Sequence, residues 1–233
     1  MKRLLFLCVA LLLLLAACGK KTDAPAEPPL LPGFTQFIVT EHRLPPPEQS
    51  FDAGFEAFYE DFTAAVYVRD MEFIDSILDD EVMTSFGGDP GKEYFHEFWS
   101  GYDIWTVLEQ IAALGGVHDP ANKSFTAPYT FVDFQETGLD VYGHFIVIGE
   151  GVRVFETASI VSKVIDTLDH TIVEFRYSSE FWEKHPNDFV SVTTLSGEVG
   201  YIQKKYLRAP IDYRLCIEQK DGGWRMVSLT AGD

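Results

Sequence analysis

Cys18 is the residue whose surroundings indicate a defined chemical reaction. It follows Ala16 and Ala17 at the end of an apolar run over 4–17, and a short basic start precedes that run. The run is shorter than the about 20 residues that a membrane-spanning helix needs, and its layout is typical of a cleaved secretory signal. Diacylglyceryl transfer requires a cysteine at the cleavage boundary. The sequence therefore predicts a signal peptide over 1–17 and a lipoprotein anchored through Cys18.

Catalysis has little support in the residue pattern. Cys216 lies in an alternating, strand-like stretch, whereas a reactive thiolate is favoured at a helix N-terminus. The six histidines do not pair at metal-ligand spacing, and His96 lacks the second histidine of a zinc-protease helix. The acidic run 79–81 lacks the alternating ligands of a calcium loop, and we interpret it as a solvated helix end. We expect no catalytic residue, no metal and no cofactor, and thus a protein that is not an enzyme.

The net charge restricts the possible partners. The chain carries 36 acidic and 18 basic residues, which gives a formal charge of −18. Cleavage before Cys18 removes Lys2 and Arg3 and no acidic residue, so the mature charge is about −20. Such a protein is poorly suited to bind nucleic acid, whose phosphates require Lys and Arg, or an anionic bilayer through a basic face. The lipid is the expected membrane anchor in the bacterial cell envelope. Gly19 resembles the outer-membrane sorting signal of diderm bacteria, which implies a protein facing the periplasm.

Composition divides the rest of the chain into four parts. Residues 18–50 hold seven of the twelve prolines, which disfavour helices and central strands and predict a tether behind the lipidated cysteine. Four apolar residues interrupt these prolines, so a short docked strand is the alternative there: Phe34, Phe37, Ile38 and Val39. We expect an α+β domain over 51–142, a small β domain over 143–208 and a C-terminal β-hairpin over 209–233.

Hydrophobic periodicity predicts the elements of these parts. An apolar stripe from Phe51 to Val66 predicts a helix with Ser50 as its N-cap, and Asp70 caps a second helix. A third helix surrounds 95–99, and Gly115 ends a fourth. Segments rich in Val, Ile, Tyr and Phe predict β-strands over 129–134, 144–148, 152–155, 172–177, 189–193, 199–202, 213–219 and 224–229. The last two would form a hairpin around 221–223 that returns to the first domain. Helices first and strands later indicate an α+β fold.

The order of short motifs from 152 to 207 resembles a bacterial Src-homology-3 domain. The motifs are Val152-Arg153-Val154, the turn 162–165, the strand 189–192, the stretch 197–202 and the closing Lys205-Tyr206-Leu207. This resemblance implies a small antiparallel β-barrel over 143–208 that binds peptide, for which cell-wall peptide is the expected class. Residues 55–99 more weakly resemble the opening of the cone-shaped fold of nuclear transport factor two.

Five aromatic residues form the candidate ligand-binding set. Tyr177, Phe181 and Trp182 stand in a long loop of the resembling region, and Tyr201 and Tyr206 lie on or near the strands that line the ligand groove in related domains. Aromatic rings offer a large contact area at low entropic cost. We expect a non-catalytic envelope lipoprotein that binds peptide or peptidoglycan. A small-ligand or enzymatic pocket in the first domain and a structural role in an envelope complex are the alternatives.

Overall fold

The computed structural model describes residues 36–176 and 189–232. This part of the chain has the predicted α+β fold, with two β-sheets. No helix within it is long and apolar enough to cross a membrane. The helices are α1 (Ala53–Val68), α2 (Met71–Ile77), α3 (Lys92–Ser100), α4 (Ile104–Leu114), α5 (Tyr129–Gln135) and a 3-10 helix (Lys204–Tyr206).

The strands belong to a larger and a smaller sheet. In chain order they are β1 (Gln36–Arg43), β2 (Leu78–Met83), β3 (Val117–Asp119), β4 (Ser124–Ala127), β5 (His144–Val147), β6 (Val152–Phe155), β7 (Val164–Leu168), β8 (Thr171–Arg176), β9 (Phe189–Thr193), β10 (Val199–Gln203), β11 (Leu207–Arg208), β12 (Arg214–Lys220) and β13 (Gly223–Thr230). The larger sheet has eight strands in the order β11-β5-β8-β1-β9-β10-β6-β7. The smaller sheet has five in the order β2-β13-β12-β4-β3.

The predicted apolar stripe forms α1, but its N-cap is Asp52 and not Ser50. One Asp52 carboxylate oxygen accepts hydrogen bonds from the backbone N–H groups of Gly54 and Phe55, both at 3.0 Å. The carboxylate is better placed because the helix begins two residues later than predicted, and it also favours the positive end of the helix dipole. Asp70 caps α2 as predicted by accepting the Phe73 N–H at 3.1 Å.

The core of the helical part lies between α1–α4 and one face of the smaller sheet. Phe55 of α1, Phe125 of β4 and Ile217 of β12 are all fully buried there. Trp224 of β13 packs edge-on to Phe55, with ring centroids 4.8 Å apart. Aromatic side chains from helices and strands thus fill the same layer, which holds the helices on the sheet.

Two predicted elements are wrong in type. Residues 79–81 do not end a helix but lie in β2, which pairs in parallel with β13 and becomes a strand through that long-range partner. Residues 129–134 form α5 instead of a strand. The buried positions of this segment are Tyr129, Thr130 and Phe134, a spacing that fits a helical face and not the alternation of a half-buried strand.

The C-terminal hairpin forms as predicted and joins the helical part. Asp221 and Gly222 have φ of 52° and 82°, the positive values that a two-residue hairpin turn requires. The pairing shifts from Cys216 opposite Ser228 to Ile217 opposite Met226, so β13 carries a bulge that contains Val227. The hairpin pairs with β4 on one side and β2 on the other, in the smaller sheet.

The predicted tether over 18–50 contains an interior strand, which corrects that prediction. Strand β1 pairs antiparallel with β8 and in parallel with β9. Phe37 and Val39 are buried, and Phe37 contacts the rings of Phe145 and Phe175 at centroid distances of 5.2 and 5.4 Å. The segment can be a strand because no proline falls between Pro32 and Pro45, a gap that the average composition conceals.

The larger sheet differs from the small antiparallel barrel expected over 143–208. It recruits β1 from outside that range, and the β1–β9 pair is parallel. Within residues 36–176 and 189–232 the eight strands form an open series with β11 and β7 at its edges, and they do not close into a barrel. The physical reason is the insertion of β1 between β8 and β9, which widens the sheet at its centre.

A third apolar cluster joins the two sheets, and we call it the joint. Its buried members are Leu44, Tyr129, Phe134, Ile146 and Ile172, which come from the β1 exit, from α5 and from the larger sheet. The Tyr129 hydroxyl donates to the Leu44 carbonyl at 3.0 Å, and the Tyr129 N–H donates to the Gly115 carbonyl at 2.9 Å. The end of α4 is therefore bound to the end of β1 through one tyrosine.

The interior position of β1 leads to a stability prediction. Phe37→Ala should lower the free energy of unfolding by about 3–5 kcal/mol, because it removes a buried ring at the centre of the larger sheet. Glu41→Ala on the exposed part of the same strand should change it by less than about 0.5 kcal/mol. Urea unfolding of both variants measures this. Equal stability of the two variants would show that residues 36–43 belong to the tether and not to the larger sheet.

Tyr129 gives a pH-dependent prediction. Burial, together with the nearby Asp133 carboxylate, raises the pKa of Tyr129 from its ordinary value of 10.0 to about 12. The neutral phenol is therefore favoured in the fold, and its contribution to stability is complete below pH 10 and is lost between pH 10 and 12. Tyr129→Phe should cost about 1–3 kcal/mol at pH 7 and should lose less stability than the wild type from pH 9 to 11. Urea unfolding at three pH values tests this, and parallel losses in both proteins would contradict it.

Candidate functional site

The structure describes two of the six residues predicted to carry function. Cys18, Tyr177, Phe181 and Trp182 lie outside the described residues. Tyr201 lies on β10, and Tyr206 ends the 3-10 helix that follows β10. The candidate site is therefore built around Tyr201, Tyr206 and the elements that position them.

The alternation along β10 directs Tyr201 away from the core. Ile202 is fully buried in the core of the larger sheet, so its neighbour Tyr201 points to the opposite face. In the ladder Tyr201 stands opposite Ser191 of β9 and Phe155 of β6. Tyr201 is thus at the centre of a three-strand face of the sheet, on which both of its ladder partners are buried.

Tyr206 lines a cleft of about 430 Å³ beside that surface. The cleft lies between the 3-10 helix, β6 and the loop that joins β6 to β7. Its lining residues are Glu150, Gly151, Val152, Arg153, Phe155, Ile160, Gln203 and Tyr206. We call it the tyrosine cleft.

Phe155 is the residue that connects the two tyrosines, because they do not both line the cleft. Phe155 lines the tyrosine cleft and is the ladder partner of Tyr201, while Tyr201 itself does not line the cleft. The Phe155 ring also meets Phe189 edge-on at a centroid distance of 6.0 Å. Phe155 thus connects Tyr201 to the cleft that Tyr206 lines, and the sequence analysis missed it. Tyr206 itself packs against the buried core of the larger sheet, to which Ile202 and not Tyr201 points, so the two tyrosines do not share one face of the sheet.

The loop over 156–163 forms the outer wall of the tyrosine cleft. Its two ends are joined by a hydrogen bond from the Glu156 N–H to the Lys163 carbonyl at 2.8 Å, and the Thr157 N–H donates to the Ser162 hydroxyl at 3.0 Å. At its tip Ile160 is 63% exposed and Val161 is 89% exposed. Adjacent exposed apolar side chains on a hydrogen-bonded loop are typical of a contact surface.

One acidic and one basic side chain line the tyrosine cleft. Glu150 and Arg153 both line it, and neither makes an ion pair with the other in the described structure. The Glu150 carboxylate instead lies 3.9 Å from the His170 imidazole, and its side chain is 84% exposed. A ligand that carries both an amine and a carboxylate would find a counter-charge for each.

Cys216 lies on a different surface. It is on the face of β12 opposite the helices, beside a cleft of about 370 Å³ that Arg214, Glu218 and Val227 also line. Its thiol receives a hydrogen bond from the Thr126 hydroxyl at 3.8 Å, and no histidine hydrogen-bonds to it among the described residues. No group of three or more potential metal ligands occurs in that part of the chain.

One carboxylate in the cleft beside Cys216, that of Asp79, forms an ion pair and a backbone hydrogen bond. Burial raises the pKa of Asp79, but the hydrogen bond from the Glu81 N–H and the ion pair with Lys220 at 3.1 Å outweigh burial and keep that pKa below its ordinary value. Asp79 is therefore ionised at neutral pH and forms its ion pair with Lys220. This arrangement joins β2 to the end of β12.

Comparisons with known proteins add no identification. No protein-family model matches the chain. No curated protein matches it, and no solved structure matches it. Function is inferred below from the residues and their geometry.

Gly200 provides a test of the surface that carries Tyr201. A Cβ atom at Gly200 would lie 2.5 Å from Val154 Cγ1, 2.8 Å from Ile165 Cδ1 and 2.9 Å from the Phe155 carbonyl oxygen. Gly200→Ala should therefore separate β10 from β6 and lower stability by about 1–3 kcal/mol. Gly87→Ala is the control, because nothing lies within 4 Å of the added atom. Thermal unfolding that cannot distinguish the two variants would contradict the close packing at Gly200.

Proposed function

We propose that this protein is a non-catalytic, lipid-anchored protein of the bacterial cell envelope that binds peptide in the tyrosine cleft. The observation that carries the proposal is the cleft of about 430 Å³ beside Tyr206, walled by the exposed apolar tip of the 156–163 loop. Aromatic and aliphatic side chains supply contact area, and Gln203, Glu150 and Arg153 supply polar groups that orient a ligand.

The chemistry of the cleft supports a peptide over other ligands. A basic and an acidic side chain line the same cleft, and short cell-wall peptides carry both amines and carboxylates. Strand β7 is an edge of the larger sheet and begins directly after the apolar loop. An extended peptide could pair with this edge while its side chains enter the cleft.

The order of elements supports the resemblance to a bacterial Src-homology-3 domain as the origin of this site. Strand β6, a long loop, β7 and β8 are followed by β9, β10, a 3-10 helix and β11. The motif residues identified in the sequence stand in these elements, and Tyr206 stands in the 3-10 helix. In this proposal β1 is an addition to the domain, which turns it into part of a wider sheet.

The lipid anchor fits the position of β1. In the proposal Cys18 carries the lipid, and residues 19–35 separate it from the first residue of β1. An extended chain of that length spans about 55 Å at about 3.1 Å per residue. The tyrosine cleft would then reach peptide within that distance of the outer membrane, on its periplasmic side.

An enzymatic or small-ligand pocket in the helical part has less support. The space between the helices and the smaller sheet is occupied by Phe55, Phe62, Phe95 and Phe125, which are all fully buried. The cleft near Cys216 lies on the outer face of that sheet. Two of its charged side chains, Asp79 and Lys220, form an ion pair with each other. Neither feature presents an activated nucleophile.

Peptide binding is tested with muropeptides released from purified peptidoglycan. Tyr206→Ala should weaken binding about 30-fold, equivalent to about 2 kcal/mol, because an aromatic side chain in a cleft of this kind is a typical hot spot. Tyr206→Phe should keep most of the affinity, and Tyr67→Ala, on the exposed face of α1, should keep all of it. Titration calorimetry measures the affinities.

The same titration distinguishes peptide from glycan. Glycan strands from which the peptides have been removed should not bind. Equal binding of these strands, or unchanged affinity of the Tyr206→Ala protein, would contradict peptide recognition in the tyrosine cleft.

A further inference from the structure

Another cleft lies on the other side of the 3-10 helix from the tyrosine cleft, and we call it the basic cleft. It has a volume of about 490 Å³ and lies between the last turn of α4, the 3-10 helix and the segment after β11. It shares no lining residue with the tyrosine cleft. Its charged lining residues are Lys204, Lys205, Arg208 and Asp212.

The charge of the basic cleft is opposite to that of the protein. The chain has a formal charge of −18, yet three basic side chains and a single acidic one line this cleft. Several basic residues elsewhere form ion pairs, such as Arg69 with Glu109 at 2.9 Å and Lys92 with Asp80 at 3.0 Å. Lys204 and Lys205 are exposed and make no ion pair with any described residue. A local positive potential therefore opens to solvent here.

Arg208 extends this positive charge into the interior. It is only 4% exposed, and its guanidinium donates to the Tyr213 carbonyl at 2.5 Å. Its nearest acid is Asp212, at 3.7 Å, whose side chain is 42% exposed. Burial lowers the pKa of Arg208, and Asp212 offsets this only in part. The guanidinium has lost water and has gained one distant counter-charge, so a second anion would be stabilised beside it.

Apart from Gln110, the remaining lining residues of the basic cleft are apolar. Ala113 and Leu114 of α4 face Ile148 and Leu207 across it. A hydrated inorganic ion would use none of this surface, whereas a ligand with an apolar body would bury it. The combination selects an anion that is also amphiphilic.

We propose that the basic cleft binds a small amphiphilic oxyanion, whose carboxylate or phosphate lies among Lys204, Lys205 and Arg208 and whose apolar body packs on Leu114 and Ile148. This site is independent of the peptide binding proposed for the tyrosine cleft. The two sites are linked through the 3-10 helix, which supplies Tyr206 to one and both lysines to the other, and Lys205 Nζ lies 5.0 Å from the centroid of the Tyr206 ring.

The proposal is tested with octyl phosphate, octanoate, octanol and octylamine as probes for the full chain. Octyl phosphate and octanoate should bind, and their affinity should fall as salt increases. Octanol and octylamine should bind at least about 10-fold more weakly, since neither carries the anionic head group that the cleft selects. A preference between the two anions identifies the head group as phosphate or carboxylate.

Two variants and one control locate the binding. The double variant Lys204→Gln/Lys205→Gln should lower anion affinity at least about 10-fold. Ala113→Glu, at an exposed position of α4 that lines the cleft, should abolish it through charge repulsion. Lys123→Gln, in the turn between β3 and β4, should change nothing.

Three outcomes would overturn the proposal. They are equal binding of octylamine and octyl phosphate, unchanged anion affinity of the double lysine variant, and failure of every probe to bind. A double variant with a lower melting temperature but full anion affinity would assign the lysines to the carboxyl end of α4, where cations stabilise the helix dipole, and not to a ligand.

Discussion

The pairing of β1 with both β8 and β9 is the constraint on which the larger sheet depends. Without β1 these two strands would be separate edges with unpaired backbone groups. The same strand delivers Leu44 to the joint, where its carbonyl accepts the Tyr129 hydroxyl. The larger sheet, the end of α4 and α5 are thereby held in one arrangement. Tyr201 lies on β10, which is the next strand after β9 in the sheet, so its position also depends on the pairing of β1.

Local signals in the sequence predicted the local elements well. The apolar stripe of α1, the Asp70 cap and the Asp221-Gly222 turn each depend on residues close in the chain, and each is present in the structure. Of the three misassigned segments, residues 129–134 form a helix instead of a strand, whereas residues 36–43 and 79–81 are strands because of partners far along the chain. A propensity pattern cannot contain that information, since strand pairing is decided by tertiary contacts.

The candidate sites divide in the same way. The sequence did not decide whether Tyr201 belongs to the core or to a recognition surface, and the burial of Ile202 shows that Tyr201 points away from the core. The place of Tyr206 near a ligand groove was implied by the resemblance and stays a prediction. Phe155 and Ile160 line the tyrosine cleft because hydrogen bonds fix the conformation of the 156–163 loop. No rule of residue spacing specifies that conformation. The basic cleft was invisible in sequence because it joins residues near 113 to residues near 205. One signal was available: Lys204 and Lys205 are adjacent cations in a strongly acidic chain.

The register of β1 also determines the order in which the protein can fold. Phe37 pairs with Phe175 and with Val192, so the first described strand finds its partners only after the helices and most of the larger sheet have been made. Pairings so distant in sequence close large loops and slow folding. A chain that emerges from its amino end must keep β1 unpaired throughout that interval, with Phe37 and Val39 open to other molecules. The chain is therefore most prone to aggregation in the interval before β9 has been made.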